Sequence, residues 1–563
     1  MFSIRALEVH DPSIIWNLEE IRKRLKFMVK NDMNTLVLHE PGIEDKIVFP
    51  GKFLGAQKEG SSFFEIYKQI DRNIYNYALR ENLNLTRRDY LKHIIEEAAE
   101  AGIEVYIENK ELWFSDFIMK YKPDLVKNGV FCPSDPFWWE EFLPVKYREL
   151  FIALPGLAGV VTSFGTGESR LAISNMFTCN CERCRSLDPV VWYKNIALGM
   201  YKPFKEAGKK LIIRDFIYKK NELEKFAKAL DELPDEIIIS SKNTPHDFYP
   251  TFPNNPLIGH VGRHPQWIEY DVNGQFYGWG LAPSSMLKDL RRRLKYALDH
   301  KVTGFIARTD WEGVQDHSCF DTPNLLNLYG IAVLGKNLEV EIRDIYYKWL
   351  DEERMLREDL SSKELKQCLD WISEVFEETW PIIEKTIYIK GAVFSNDSAV
   401  HISLDQPTFI AETHHSLKDW IPEKENIFEM SENNIVEIIK EKEEAIELAH
   451  KVYNKFKEGN KGLKEDAYQK LLKHFEFLLL YTKAFYLISR AYVFAKYLLE
   501  KGEESKLWNK PIKTLLKEAI KDLNEYCSQL LSYSFLREYP MKVLLNPERF
   551  ECFLKDIEEK IKL

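Results

Sequence analysis

Short apolar runs rich in β-branched residues recur along the first part of the chain. Each is followed by a longer stretch in which apolar positions return every three or four residues. The runs are "IRALEVHD", "NTLVLHEPG", "IEVYIENK", "LAGVVTSFG", "KLIIRDFIY", "DEIIISSKN", "WIEYDVNGQF" and "VTGFIARTDW". Near-continuous apolar runs of this length suit strands buried on both faces. Between them lie amphipathic helical patterns such as "IWNLEEIRKRLKFMVKND", "RRDYLKHIIEEAAEAG", "WWEEFLPVKYRELFIA", "ELEKFAKALDEL" and "MLKDLRRRLKYALDH". Eight alternations in about 335 residues fit a (β/α)8 barrel better than an open doubly wound sheet. No glycine-rich dinucleotide or P-loop fingerprint follows the first run.

After "NLYGIAVLGKN" the period changes. The chain becomes rich in Glu, Lys and Leu, and "EVEIRDIYYKWLDEERML", "NIVEIIKEKEEAIELAHKVYNKF", "DAYQKLLKHFEFLLLYTKAFYLISRAYVFAKYLLE" and "PIKTLLKEAIKDLNEYCSQLLSY" read as long helices of a bundle. The expected organisation is a barrel over residues 1–335 and a mainly α-helical C-terminal domain over 336–563. The latter is interrupted at 391–425 by a polar and aromatic insertion, whose His401, His414 and His415 are either ordinary surface residues or loop residues reaching a neighbouring site. The apolar stripe "FEFLLLYTKAFYLISRAYVFAKYLL" is first a bundle core and secondarily a subunit interface, so a homodimer is an open expectation.

Charge narrows the partners. Net charge is −10 with both signs interspersed, which makes a nucleic-acid backbone or an anionic membrane an unsuitable main partner. The start "MFSIRALEVHDPSII" has no basic region followed by an apolar one, no run of about 18 apolar residues occurs, and a cytoplasmic protein is expected. Eight cysteines in so long a chain are no disulfide scaffold, but three crowd into "CNCERC". Cys179, Cys181 and Cys184 offer three thiolates to a structural zinc, with Cys132, Cys319 or a histidine as the fourth ligand; reduced thiols packing a tight loop are the alternative. No cofactor is expected to take part in catalysis.

In a barrel the chemistry sits where strands end, and here the ends are polar. They carry His10 and Asp11; His39 and Glu40; Glu108 and Lys110; Glu168; Arg214 and Asp215; Lys242 and Asp247; Glu269, Asp271 and Gln275; and Arg308, Asp310, Trp311 and Glu312. One such group is an ordinary ion pair; eight strands ending this way suggest a site. Several carboxylates and fixed cations, with Trp113, Trp267, Trp279 and Trp311 nearby, suit glycoside hydrolysis, in which a carboxylic acid protonates the leaving oxygen and a carboxylate activates water. They also suit a sugar acid, whose carboxylate Arg and Lys can clamp.

The segment from Lys242 through "TPHDF" and "NNPLIGH" to "IEYDVNGQFYG" resembles the corresponding part of α-glucuronidases, glycoside hydrolase family 67. "LIIRDFIY" is similar to the preceding strand of that family, and "DTPNLLNLYGIAVLGKN" to its post-barrel segment. The similarity covers roughly residues 155–350. It implies a carbohydrate substrate, with Glu168 in "TSFGTGES" as general acid, Asp247 in "PHDF" as general base, and Arg214, Lys242 and Glu269 holding the substrate. The strand-end residues His10, His39, Glu40, Glu108, Arg308, Asp310 and Trp311 are expected, from their place in a barrel, to face the same substrate. Two features depart from the family: its second water-activating carboxylate falls on Gln275, whose amide orients water but takes no proton, and its N-terminal β-rich domain has no counterpart before the first run.

The expected function is therefore removal of a terminal sugar or sugar acid by general acid/base catalysis, with inversion. Carboxyl groups about 6.5–9.5 Å apart would support inversion, and about 5–5.5 Å retention. Two alternatives remain. A hexosaminidase-like exo-glycosidase would carry an Asp-Glu pair after the fourth strand, where Gly167 precedes Glu168, and a non-catalytic carbohydrate-binding barrel would account for Gln275 directly.

Overall fold

The computed structural model describes residues 1–47, 74–109, 112, 114, 117–127, 129–163, 171, 173, 179–217, 219–414 and 417–562, with the side chains of 74–82, 117, 120 and 412–414 excepted. All eight apolar runs form strands: β1 (Ile4–Val9), β2 (Thr35–His39), β3 (Glu104–Asn109), β4 (Gly159–Thr162), β5 (Lys210–Arg214), β6 (Ile238–Lys242), β7 (Gln266–Asp271) and β8 (Gly304–Arg308). They close into a parallel barrel in which each strand pairs with its neighbours in sequence and β1 pairs with β8. Helices including Leu18–Lys30, Ile74–Glu100, Leu143–Ala153, Pro189–Ala207, Lys220–Leu230 and Leu287–Asp299 alternate with the strands.

One residue from each strand fills the barrel interior: Ala6, Val37, Tyr106, Val161, Ile212, Ile238, Trp267 and Ile306. Six aliphatic side chains and two large aromatic ones fill the ring, so that the layer is a packed core rather than a pore. Tyr106 and Trp267 meet edge to face with centroids 5.7 Å apart. Trp267, expected from the sequence beside a sugar pocket, is instead 2% exposed and part of this packing layer. The glycines at the strand starts make room for it: a Cβ on Gly304 would lie 2.8 Å from Trp267 Cδ1, and one on Gly159 2.1 Å from the Lys210 carbonyl oxygen.

The chain divides into two compact units. The first comprises Met1–Asn243, Asn255–Tyr270 and Lys295–Asp316; the second comprises Thr244–Asn254, Asp271–Leu294 and His317–Leu563. The second unit is built on helices Ile342–Glu352, Ser362–Glu377, Thr379–Ile387, Glu432–Lys457, Glu465–Lys501, Ile512–Leu530 and Pro547–Ile561. Among the described residues, Glu465–Lys501 alone is long and apolar enough to cross a membrane, and 72% of its apolar window is buried inside the protein. Its buried side chains run from Tyr468 to Leu498 on several faces, the pattern of a central bundle helix. In the insertion at 391–425, His401 is not a loop residue reaching outward. It is fully buried against Phe394, centroids 4.4 Å apart, and burial pushes its pKa down to about 3. His415 lies outside the described residues, as does the His414 side chain.

Candidate active site

Side chains two residues apart on a strand share a face. Moving two residues from the packing layer toward the strand ends therefore gives the next inward layer: Glu8, His39, Glu108, Ser163, Arg214, Ser240, Glu269 and Arg308. All eight are buried, Arg308 being the most exposed at 7%. A ring of eight inward positions thus holds three carboxylates, two guanidinium groups, an imidazole and two hydroxyls. His10 and Lys242 stand two residues further along β1 and β6.

Arg214 joins this ring together. Its Nε and Nη2 donate to the two oxygens of Glu269 at 2.8 and 2.5 Å, and Nη1 lies 2.8 Å from Glu108 Oε1. Ser240 Oγ donates to Glu269 Oε1 at 2.7 Å. On the other side His39 Nδ1 is 2.7 Å from Glu8 Oε1 and 3.3 Å from Glu108 Oε1. The His10 ring stacks on His39 with centroids 3.6 Å apart, and its Nε2 pairs with Glu312. A continuous array of ionisable groups therefore runs Glu312–His10–His39–Glu8/Glu108–Arg214–Glu269.

The surroundings push these carboxyls apart. Burial, then Glu108 and Glu269, hold the Glu8 carboxyl well above the usual carboxylate range, against the opposing pull of Arg214 and Arg308. Glu269 is desolvated as well, but the Arg214 guanidinium, Ser240 and Lys242 bring it below the usual range. One carboxyl is thus set to keep its proton and the other to stay ionised. Beside them, burial raises Asp215 to about 7 despite hydrogen bonds from Ser241 and Asn255.

Several expected site residues have other partners. Asp310 accepts the backbone N–H groups of His10 and Asp11 at 2.5 and 2.7 Å and the Thr309 hydroxyl at 2.7 Å, so it clamps the β1 and β8 ends together. Glu40 accepts from Trp16 Nε1 at 2.9 Å and pairs with Lys46. Lys242 Nζ sits 3.5 Å above the centre of the Phe216 ring. Trp311 is half-buried at the end of β8. Glu168, Lys110 and Trp113 lie outside the described residues. Glu8, Ser163 and Ser240 were not singled out from the sequence; counting two residues back from His10, or two forward from Val161 and Ile238, reaches them.

The second unit holds another polar cluster. Asp247 has a left-handed backbone, φ 46°, and its carboxylate lies 3.2 Å from His246 Nε2. Asp tolerates this conformation better than most residues, because its short polar side chain can hydrogen-bond locally. Gln275 Nε2 donates to Asp397 Oδ1 at 2.6 Å, and Asn396 Nδ2 donates to Asp397 Oδ2 at 2.9 Å. Asp397 and Ser398 also have positive φ, 50° and 57°. Ser398 Oγ donates to the Gln275 carbonyl at 2.8 Å and accepts from Gly278 N–H at 3.0 Å. Tyr249 Oη donates to Asn396 at 3.1 Å. Trp279, expected as a sugar-facing ring, is 1% exposed and donates its indole N–H to the Asp397 carbonyl at 2.7 Å. Asp397 was missed because it lies more than 120 residues from Gln275 in a segment without periodic pattern.

Among the described residues, two groups have the donor atoms for a metal ion: Cys132, Cys179, Cys181 and Cys184, and Glu8, His10 and His39. The second group already sits beside Arg214 and Arg308, whose positive charge opposes a further cation.

No known protein family matches the sequence, and no curated protein is similar to it in sequence. Solved structures of glycoside hydrolases superpose on the chain to different extents. A GH138 enzyme targeting pectin rhamnogalacturonan II superposes with a TM-score of 0.57 at 14% identity, over 94% of this chain and 61% of that one. This chain thus spans about three-fifths of that enzyme's length. An O-GlcNAc hydrolase from Thermobaculum terrenum gives a TM-score of 0.43 at 11% identity, over 99% and 94% of the two chains. A GH20 exo-β-N-acetylglucosaminidase from Vibrio harveyi gives 0.39 at 11%, over 63% and 57%. At 14% identity the likeness to the GH138 enzyme is one of fold.

Proposed function

We propose that this protein is a glycoside hydrolase that removes a terminal sugar or sugar acid by general acid/base catalysis at the carboxyl ends of the barrel strands. The observation that carries the reading is the buried ring of Glu8, Glu108, Arg214 and Glu269, in which one carboxyl is driven toward its neutral form and another toward its ionised form. A ring of this kind suits holding a sugar or sugar acid, and hydrolysis needs an acid/base pair in addition. The barrel shared with the GH138 enzyme supports the reading, and so does the resemblance of residues 155–350 to family 67.

In this proposal Glu168 protonates the leaving oxygen and Asp247, with its positive φ, takes the proton of water. Asp397, bonded to the Gln275 amide, supplies a carboxylate beside the position where the α-glucuronidases carry their second one. Arg214 holds Glu108 and Glu269 through Nε, Nη1 and Nη2 and so orients these carboxylates as well as any substrate it meets. Lys242 and Arg308 are further cations placed to meet a uronic acid. A cytoplasmic setting belongs to the same proposal and is supported by cysteine usage, since eight cysteines in 563 residues are too few for a disulfide scaffold.

The test is hydrolysis of a panel of aryl glycosides and acidic oligosaccharides, glucuronides included. Glu168→Gln and Asp247→Asn are each expected to lower kcat by about 10²-fold or more. Lys242→Met and Arg308→Met are expected to raise KM for uronides while sparing neutral glycosides. A panel that binds without turnover would instead make this a carbohydrate-binding barrel.

A further inference from the structure

Four cysteine sulfurs converge between the segments that follow β3 and β4. Cys132 comes just after a small hairpin, Val126–Lys127 paired with Val130–Phe131. Cys179, Cys181 and Cys184 come from the segment leading into helix Pro189–Ala207. Cys132 Sγ is 3.7 Å from Cys181 Sγ and 3.5 Å from Cys184 Sγ, and all four sulfurs lie within 4.8 Å of one another. Four thiolates around one ion at a Zn–S distance of about 2.3 Å stand at tetrahedron corners about 3.8 Å apart. The observed spacing is that of a single four-coordinate ion. An iron–sulfur cube attaches each thiolate to a different iron and holds the sulfurs farther apart.

The surroundings are built to keep the thiols there. Two fully buried indoles fix the turn carrying Cys132: Trp138 Nε1 donates to the Cys132 carbonyl at 2.9 Å and Trp192 Nε1 to the Pro133 carbonyl at 2.8 Å. Arg183 Nη1 donates to Asp135 at 3.1 Å, joining the two segments a second time. Ser134 Oγ lies 3.0 Å from Cys184 Sγ and 3.3 Å from Cys132 Sγ, and the Cys184 N–H donates to Cys181 Sγ at 3.5 Å. Such outer bonds orient and stabilise metal-bound thiolates.

We propose that Cys132, Cys179, Cys181 and Cys184 bind one zinc ion, which fastens the segment after β3 to the segment after β4. Four protein ligands complete the tetrahedron and leave no position for water, so the ion is structural. Binding releases the thiol protons to solvent and involves no redox step. This inference stands apart from the proposed glycosidase activity, and neither depends on the other.

The test is elemental analysis of the full chain purified without added metal, followed by exchange with Co²⁺. The expected result is one zinc per chain and, after exchange, a cobalt spectrum with strong thiolate charge-transfer bands. Cys132→Ser and Cys181→Ser should lose the ion and lower Tm, whereas Cys552→Ser, at an exposed cysteine, should retain both. If the serine variants fail to fold, titration of the wild-type thiols with a mercurial decides: zinc should leave as these four sulfurs are modified. Wild-type protein that carries no zinc and takes up no cobalt, metal that stays in Cys132→Ser, or iron in place of zinc would each overturn the proposal.

Discussion

Arg214 shows how much one side chain can carry. It is 5% exposed and faces Glu108 and Glu269, which are 0% and 1% exposed. Arg214→Met would leave both carboxylates buried without a partner, a change expected to cost about 3–5 kcal/mol. Urea denaturation should show it, and Arg214→Met/Glu269→Gln should recover part of the loss, giving a coupling above about 1 kcal/mol. Asp215 makes a pH-dependent prediction. Its pKa rises from 3.8 to about 7 on folding, so its contribution to stability is full below the lower value and is lost as pH climbs to the upper one. Asp215→Asn should therefore flatten the fall in stability between about pH 4 and 7, read as Tm against pH beside wild type. The charged types at these strand ends are legible in the sequence. That Arg214 would turn to Glu108 and Glu269 is not, because its partners lie on β3 and β7.

At the scale of elements, alternation and length suffice to identify all eight barrel strands and the helices between them. Every expected run appears as a strand, since a run buried on both faces allows few other arrangements. The same alternation places the inward layer, yet Trp267 was assigned to a sugar site because composition alone does not separate a packing layer from the polar layer two residues on. Close approaches within the barrel wall are also invisible in the sequence. Gly159 pairs with Lys210 in register, and its Cβ would meet the Lys210 carbonyl at 2.1 Å. Gly159→Ala is expected to cost about 3 kcal/mol by overpacking. Gly102→Ala, where φ is +72° but nothing lies within 4 Å, should cost only about 1 kcal/mol through backbone strain. Thermal unfolding of the two variants separates these causes.

Over the whole molecule, the second unit draws in two stretches that follow β6 and β7, Thr244–Asn254 and Asp271–Leu294. Gln275, Phe276 and Tyr249 from these stretches bond to Asp397, Tyr388 and Asn396. A fragment ending at residue 335 would strip away those partners. It is expected to bind a hydrophobic dye and lose a cooperative thermal transition that the full chain retains. Local periodicity, which depends only on neighbours in sequence, determined the barrel, the helical character of the C-terminal region and the charged character of the strand ends. Tertiary structure alone decided which charges meet, that Cys132 completes the cysteine cluster, that His401 is buried and neutral, and that Asp397 stands beside Gln275. Each of these depends on residues far apart in the chain, whose approach follows from packing, and packing leaves no period in the sequence from which to read it.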